Sequence, residues 1–221
     1  MTTNVQRSDV LVIGGGLVGA VAARALSHAG LSVTVIDGED PKTVTQAGFD
    51  GRASAIAAAS KRLLRALDIW PHLADQVSPI LDIRVADGAS PLYLHYDHED
   101  VGAGPLGYLA ENRHIRLAAL AAVAADANIQ FVAPNRVETL ERDRSGVRAV
   151  LSDGSEVVAS LAIAADGRGS GVRKDAGIRV TGWRYPQEAI VCTVEHEHPH
   201  AFVAHEHFLP AGPFAILPLK G

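Results

Sequence analysis

The stretch Val10-Leu-Val-Ile13 running straight into Gly14-Gly-Gly16-Leu-Val-Gly19 constrains this chain more than any other. Four consecutive apolar residues suit a strand buried on both faces, and glycines at 14, 16 and 19 satisfy the G-x-G-x-x-G spacing at which such a strand turns into a helix. Each glycine has a physical task. Gly14 permits the tight turn, Gly16 lets the backbone approach a pyrophosphate, and Gly19 lets the helix pack close to the strand. The helix N-terminus offers free N–H groups and a positive dipole end to the phosphates. Glycine-rich turns also arise for packing alone, but here the flanks agree. An Ala-rich helix is predicted from Leu17 to Ala29, with Gly30 as its stop, and the strand Leu31-Ser-Val-Thr-Val-Ile-Asp37 ends in an acid 18 residues beyond the third glycine. A carboxylate there accepts hydrogen bonds from free ribose hydroxyls and disfavours a 2′-phosphate. The opening segment is therefore expected to bind an adenine dinucleotide.

Composition narrows the partners. The 221 residues carry 25 acids against 20 bases, a net charge of −5, with no long basic run, so polynucleotide binding has no electrostatic footprint. The single Cys192 excludes an internal disulfide framework and a multi-cysteine metal site, consistent with a reducing compartment. The polar stretch from Met1 to Arg7 does not read as a signal peptide, and no apolar run approaches the roughly 18 residues of a spanning helix. The expected location is cytoplasmic.

Further along, 38–51 reads as an unusually long loop leading to Arg52, and Ser54 to Ile69 as an amphipathic helix broken by Trp70-Pro71. From Ile80 to Tyr96 the apolar period shifts towards two, with Asp87-Gly88 as a turn, which predicts an inserted antiparallel pair. A loop over 97–107 returns to a second Ala-rich helix, about Asn112 to Ala127. Short strands follow at 129–132, 136–141, 147–151 and 156–158, then a buried-type strand, Leu161 to Ala165, which delivers Asp166-Gly167 and a capping Ser170 at its carboxyl end. The remainder reads as strands at 189–195, 201–208 and 214–219.

Several separate stretches together resemble one family. They are the glycine turn at 14 to 19, Asp50-Gly-Arg52-Ala-Ser-Ala-Ile-Ala with Leu67-Asp-Ile-Trp70, Gly107-Tyr-Leu-Ala-Glu-Asn112, Ala165-Asp-Gly-Arg-Gly-Ser-Gly-Val-Arg173, and Gly182-Trp-Arg-Tyr-Pro-Gln187 running to Gly212-Pro-Phe-Ala-Ile-Leu-Pro218. Their order and spacing are similar to those of the FAD-dependent aromatic hydroxylases of ubiquinone biosynthesis, within the p-hydroxybenzoate-hydroxylase-like flavin monooxygenases. The resemblance implies an α/β fold, with a Rossmann-like FAD-binding domain over 1–75 and 106–178. Inserted in it would be a mostly antiparallel, incomplete β substrate domain over 76–105 and 179–221. It implies that Gly14, Gly16 and Gly19 hold the FAD pyrophosphate, Asp37 the adenosine ribose, and Arg52 the flavin or pyrophosphate, while Asn112 and Arg113 open a helix facing the cofactor. Asp166 and Gly167 would serve both FAD and a transient NAD(P)H. The implied reaction is hydroxylation of the aromatic ring of a polyprenylated ubiquinone precursor, with O₂ as co-substrate and a flavin hydroperoxide as oxidant. Such a lipophilic substrate is compatible with peripheral association with the inner membrane, with a multi-enzyme complex, and with a homo-oligomer. No catalytic side chain is assigned, since the protein's part is orientation and a dry pocket.

Members of that family continue well past the Gly-Pro-x-Ala-x-Leu-Pro stretch, so the chain reads as a portion of a longer enzyme that by itself holds FAD poorly and hydroxylates nothing. Two other readings are a non-catalytic flavoprotein-fold scaffold and a simple NAD-dependent dehydrogenase; the long 38–51 loop and the inserted strand pair count against the latter. Five of the ten histidines fall between His196 and His207. Their spacing matches no established zinc pattern, and no metal site is assigned.

Overall fold

The computed structural model describes residues 5–46, 48, 51–102 and 104–220; Asp50, of the Asp-Gly-Arg stretch, lies outside them. In chain order the elements are β1 (Val5–Ile13), α1 (Leu17–His28), β2 (Val33–Ile36), α2 (Pro41–Gln46), β3 (Ala53–Ala57), α3 (Ala58–Ala66), β4 (Val77–Ile80), β5 (Asp82–Asp87), β6 (Tyr93–Asp97), α4 (His98–Val101), β7 (Gly107–Glu111), α5 (Asn112–Ala124), β8 (Ile129–Val132), β9 (Val137–Asp143), β10 (Gly146–Leu151), β11 (Glu156–Ala164), α6 (Gly171–Asp175), β12 (Val203–Leu209) and β13 (Gly212–Ile216). The chain divides into two compact units: residues 1–48, 67–72 and 116–189 form the first, and 49–66, 73–115 and 190–221 the second.

The first unit is built on a six-stranded sheet in the order β8-β2-β1-β11-β10-β9. The β8, β2, β1 and β11 strands are parallel, and β10 and β9 extend them as an antiparallel hairpin. All four residues of β2 and the last four of β1 are buried, which is what the unbroken apolar runs demand of a sheet covered on both faces. Leu11, Ile13, Ile36, Ala149, Leu151, Val157 and Ala159 form one core cluster. Helix α1 presents Gly19, Ala20, Ala23 and Ser27 to the interior, small residues that let it lie close to the sheet.

The second unit contains a three-stranded sheet, β3-β7-β4, and a four-stranded one, β13-β12-β5-β6. The antiparallel pair read from the period-two pattern is present as β5 and β6, with Ile83 opposite Tyr96 and Val85 opposite Leu94.

Several sequence expectations differ from the structure. Residues 54–57 are strand rather than helix: β3 pairs with β7 from Ala53↔Glu111 to Ala57↔Gly107, and only Ala58–Ala66 is helical. Tertiary pairing overrides the helix preference of alanine there. The two strands read at 156–158 and 161–165 are one, because β1 pairs along the whole of β11. Residues 189–195 form no strand among the described residues; Ile190 is 93% exposed, so the apolar alternation meets no partner strand. The stretches read as loops at 38–51 and 97–107 contain the short helices α2 and α4. The unit boundaries also differ from those drawn on the sequence, since 49–66 and 106–115 belong to the second unit through the β3-β7-β4 sheet.

Candidate functional site

The carboxyl ends of β1, β2 and β11 meet at one junction in the first unit. The Gly14 N–H donates to the Ile36 carbonyl at 2.8 Å, and the Ala165 N–H donates to the Ile13 carbonyl at 2.7 Å, which ties the three strand ends together. Gly14 has φ +101°. A Cβ there would lie 2.6 Å from the Ala165 carbonyl carbon and 2.8 Å from the Asp166 nitrogen. At Gly19 a Cβ would overlap the Gly14 carbonyl oxygen. Both positions therefore exclude a side chain, one by conformation and contact, the other by contact alone.

Gly16 differs from both, because a Cβ there would meet nothing within 4 Å. It is the N-cap of α1, with no side-chain cap, and the first turn carries no acidic residue. The first N–H groups of a 12-residue helix have no intrahelical partner, and the side of Gly16 where a Cβ would stand is open. A helix terminus of that kind suits a pyrophosphate.

Asp37 directly abuts this turn. Its Oδ2 accepts the Gly15 N–H at 2.5 Å and its Oδ1 the Glu39 N–H at 2.7 Å, which fixes the carboxylate in orientation. A carboxylate offers about four lone-pair sites, so acceptor capacity for ribose hydroxyls remains. Arg116 on α5 holds Glu39 in turn, with Nη2 donating to Oε2 at 2.7 Å.

Asp166 lies beside Gly14 across the junction. Its Oδ2 accepts N–H groups of Gly171 (2.8 Å) and Val172 (3.2 Å), while its Oδ1 is buried with no hydrogen-bond partner. Burial alone would raise the pKa of this carboxyl, but the Ser170 hydroxyl and the N–H groups of Val172, Asp166 and Gly171 hold it below the ordinary value. An anionic carboxylate with one orphaned oxygen at a strand end is suited to a hydroxyl or N–H donor from a ligand. Gly167, with φ +83°, starts the turn that brings Ser170 round to cap α6 through the Arg173 N–H at 3.0 Å.

The remaining sequence candidates lie in the second unit. The Asn112 N–H donates to the Arg52 carbonyl at 3.0 Å, and the Asn112 Oδ1 accepts from the Ser54 hydroxyl at 2.6 Å, so Arg52 and Asn112 are held together at the β3–β7 end. Arg113 pairs through Nε with Glu111, which offsets its charge. Arg52 is exposed.

Sequence reasoning missed two contributors. Gly15 leaves no room for a side chain unless Phe131 shifts, since a Cβ would lie 2.6 Å from the Phe131 ring; the middle glycine of the run was visible, but its partner on β8 was not. The Arg116–Glu39 pair left no signal, because 77 residues separate its members.

A family model described as an FAD binding domain matches residues 7–217. The chain belongs to this family. It is 53% identical over 214 residues to the ubiquinone hydroxylase UbiL of Rhodospirillum rubrum, covering 97% of this chain and 50% of that protein. It is 32% identical over 216 residues to the 3-demethoxyubiquinol 3-hydroxylase of Escherichia coli, covering 97% and 55%. The chain spans about half the length of the curated relatives it matches. Among solved structures, PqsL of Pseudomonas aeruginosa, a probable FAD-dependent monooxygenase, superposes with a TM-score of 0.66 at 23% identity, covering 82% of this chain and 48% of that one. The p-nitrophenol 4-monooxygenase PnpA of Pseudomonas putida gives 0.67 at 20% identity, with 82% and 46% covered. These likenesses establish the α/β FAD-binding fold.

Among the residues expected from the sequence to bind FAD, Gly16, Asp37 and Asp166 of the first unit have surroundings that suit the cofactor class. The open space at Gly16 and the uncapped α1 terminus suit its diphosphate, the spare acceptor capacity of Asp37 a ribose, and the orphaned Asp166 oxygen a further donor. When bound, FAD supplies a redox-active ring that no protein side chain replaces.

Proposed function

We propose that the whole protein is an FAD- and NAD(P)H-dependent monooxygenase that hydroxylates the aromatic ring of a polyprenylated ubiquinone precursor with O₂. The observation that carries this reading is the 53% identity to a ubiquinone hydroxylase over 97% of the chain, joined to a glycine junction that matches the cofactor. In it, Gly14 and Gly19 set the turn, the N-terminus of α1 at Gly16 binds the diphosphate, and Asp37 accepts the adenosine ribose. Arg52, Asn112 and Arg113 are further proposed FAD contacts, the charge of Arg113 being offset by Glu111. Asp166 and Gly167 contact FAD and the incoming nicotinamide nucleotide. The protein binds and orients these groups and keeps water out, while the cofactor carries the redox chemistry.

A lipophilic precursor argues for peripheral association with a membrane or with a biosynthetic assembly. No helix among the described residues is long and apolar enough to cross a bilayer. The 221 residues alone are proposed to hold FAD weakly and to lack hydroxylase activity, because relatives are about twice this length.

The test is an absorbance titration with FAD of this chain and of the whole protein, followed by NAD(P)H oxidation and mass spectrometry of a ubiquinone precursor under heavy-isotope O₂. Flavin binding with label entering the ring supports the monooxygenase. Failure of both proteins to bind FAD overturns it in favour of a scaffold, and binding without label in the product overturns the hydroxylation step alone.

A further inference from the structure

The antiparallel pair β5–β6 places Asp82 directly opposite Asp97, and His95 opposite Arg84, so all four side chains stand on one face of the four-stranded sheet. Like charges directly opposed across an antiparallel ladder destabilise the pairing. We propose that Asp82, His95 and Asp97 together bind one divalent transition-metal ion of the Zn²⁺ class, which neutralises the opposed carboxylates and pins the edge strand β6 to β5.

The donor atoms of the three residues all lie within 4.8 Å of one another. Supporting contacts already orient them. The Oδ1 of Asp97 accepts the Glu99 N–H at 2.9 Å and lies 3.2 Å from His98 Nδ1, which leaves Oδ2 to the ion. The Oδ2 of Asp82 accepts from Arg84 Nη2 at 3.3 Å, which leaves Oδ1, and His95 Nε2 stands 2.7 Å from that same Oδ1. Tetrahedral ligands at zinc bond lengths sit about 3.3 Å apart, so His95 and Asp82 must separate by only about 0.6 Å to admit the ion between them. His95 binds as neutral imidazole through Nε2 and keeps its proton on Nδ1, and its half-exposed position leaves the fourth coordination place to water.

One nitrogen and two carboxylate oxygens select a borderline ion over Mg²⁺ or Ca²⁺, which take oxygen ligands throughout. Arg84 works against the ion by its charge and for it by orienting Asp82, an outer-shell role. Three protein ligands and that nearby cation set the affinity in the micromolar range. The five histidines from His196 to His207, more conspicuous in the sequence, supply no such grouping among the described residues. His207 Nε2 donates to the Gly88 carbonyl at 2.7 Å and His200 Nδ1 accepts the Phe202 N–H at 3.0 Å.

The experiment takes metal-stripped whole protein and titrates Co²⁺ by visible absorption, with Zn²⁺ in competition and by calorimetry. The expected result is one equivalent bound in the micromolar range, with tetrahedral d–d bands and no thiolate charge-transfer band from Cys192. Affinity should fall at least about tenfold in His95→Gln and in Asp97→Asn, and should be retained when His196, His198 and His200 are all replaced by Ala. If either single variant loses its fold by circular dichroism, paramagnetic broadening of wild-type amides decides the matter: broadening centred on residues 81–84 and 93–98 supports the site. Broadening centred elsewhere, absence of saturable binding, or loss of binding only in the triple variant overturns it.

Discussion

Gly14 concentrates the constraints of this fold in one residue. Its φ of +101° and the nearness of Ala165 and Asp166 mean that Gly14→Ala brings both a strained backbone and a steric overlap. Sparsely populated backbone conformations cost about 1–3 kcal/mol each. The expected loss in urea denaturation is at least that large, and FAD binding should be lost with it. Asp37→Ala tests a different quantity. It removes the acceptor of the Gly15 and Glu39 N–H groups and the proposed acceptor of the ribose, so FAD affinity should fall about 10–100-fold by flavin fluorescence, while FMN, which lacks the adenosine, should be unaffected. The tight turn at Gly14, the close packing at Gly19 and the strand-end place of Asp37 were legible in the sequence because they depend on spacing along a strand, turn and helix. The roles of Gly15 against Phe131, and of Arg116 in holding Glu39, were not legible, because each depends on which strands become neighbours.

At the level of elements, one polar cluster joins helix α1 to the chain beyond α5. Arg24 lies within ion-pair distance of Asp126 and, at 3.2 Å, of Asp68, and its Nε donates to the Leu67 carbonyl at 3.1 Å. The Oδ2 of Asp126 accepts the Ser27 hydroxyl at 2.6 Å and its Oδ1 the Asn128 N–H at 3.0 Å. Burial acts to raise the Asp126 pKa, but Ser27, the Asn128 N–H and Arg24 together hold it below its ordinary value of 3.8. A carboxyl whose folded pKa is depressed contributes stability that is complete above its unfolded value and lost as pH falls through the folded one. Asp126→Asn should therefore cost about 1–2 kcal/mol at neutral pH. That difference should shrink to nothing as the urea midpoint is followed downward through pH 3.8 and below. A difference that persists undiminished in acid would assign the loss to packing instead. Elements with a single strong period, such as α1 and the β5–β6 pair, were readable in advance. The stretch 54–57 was not, because alanine favours helix locally while pairing with β7 decides for strand.

At the scale of the whole molecule, most of the proposed cofactor contacts fall in the first unit, and linkage makes that distribution visible. A ligand that binds only the folded protein stabilises it by about 2.7 kcal/mol at a hundredfold excess over its Kd. The first unit holds the glycine turn, Asp37 and Asp166, so amide exchange on adding FAD to the whole protein should slow most over residues 14–20, 37–39 and 166–172. Strands β12 and β13 belong to the second unit and carry Phe208, Phe214 and Ile216, each 46–54% exposed, with none of those cofactor contacts. Their exchange should change little. The segment 177–200 carries no helix or strand, and leaves Trp183, Tyr185, Ile190 and Val191 exposed. Its amides should exchange fast in this chain whether or not FAD is present. Protection centred on the three first-unit segments, and beyond them on residues 52, 112 and 113, would tie the sequence motif to a working cofactor site. Uniform slowing across both units would mean that FAD acts through global stability alone, and no slowing at residues 14–20 would leave the glycines a packing role and nothing more.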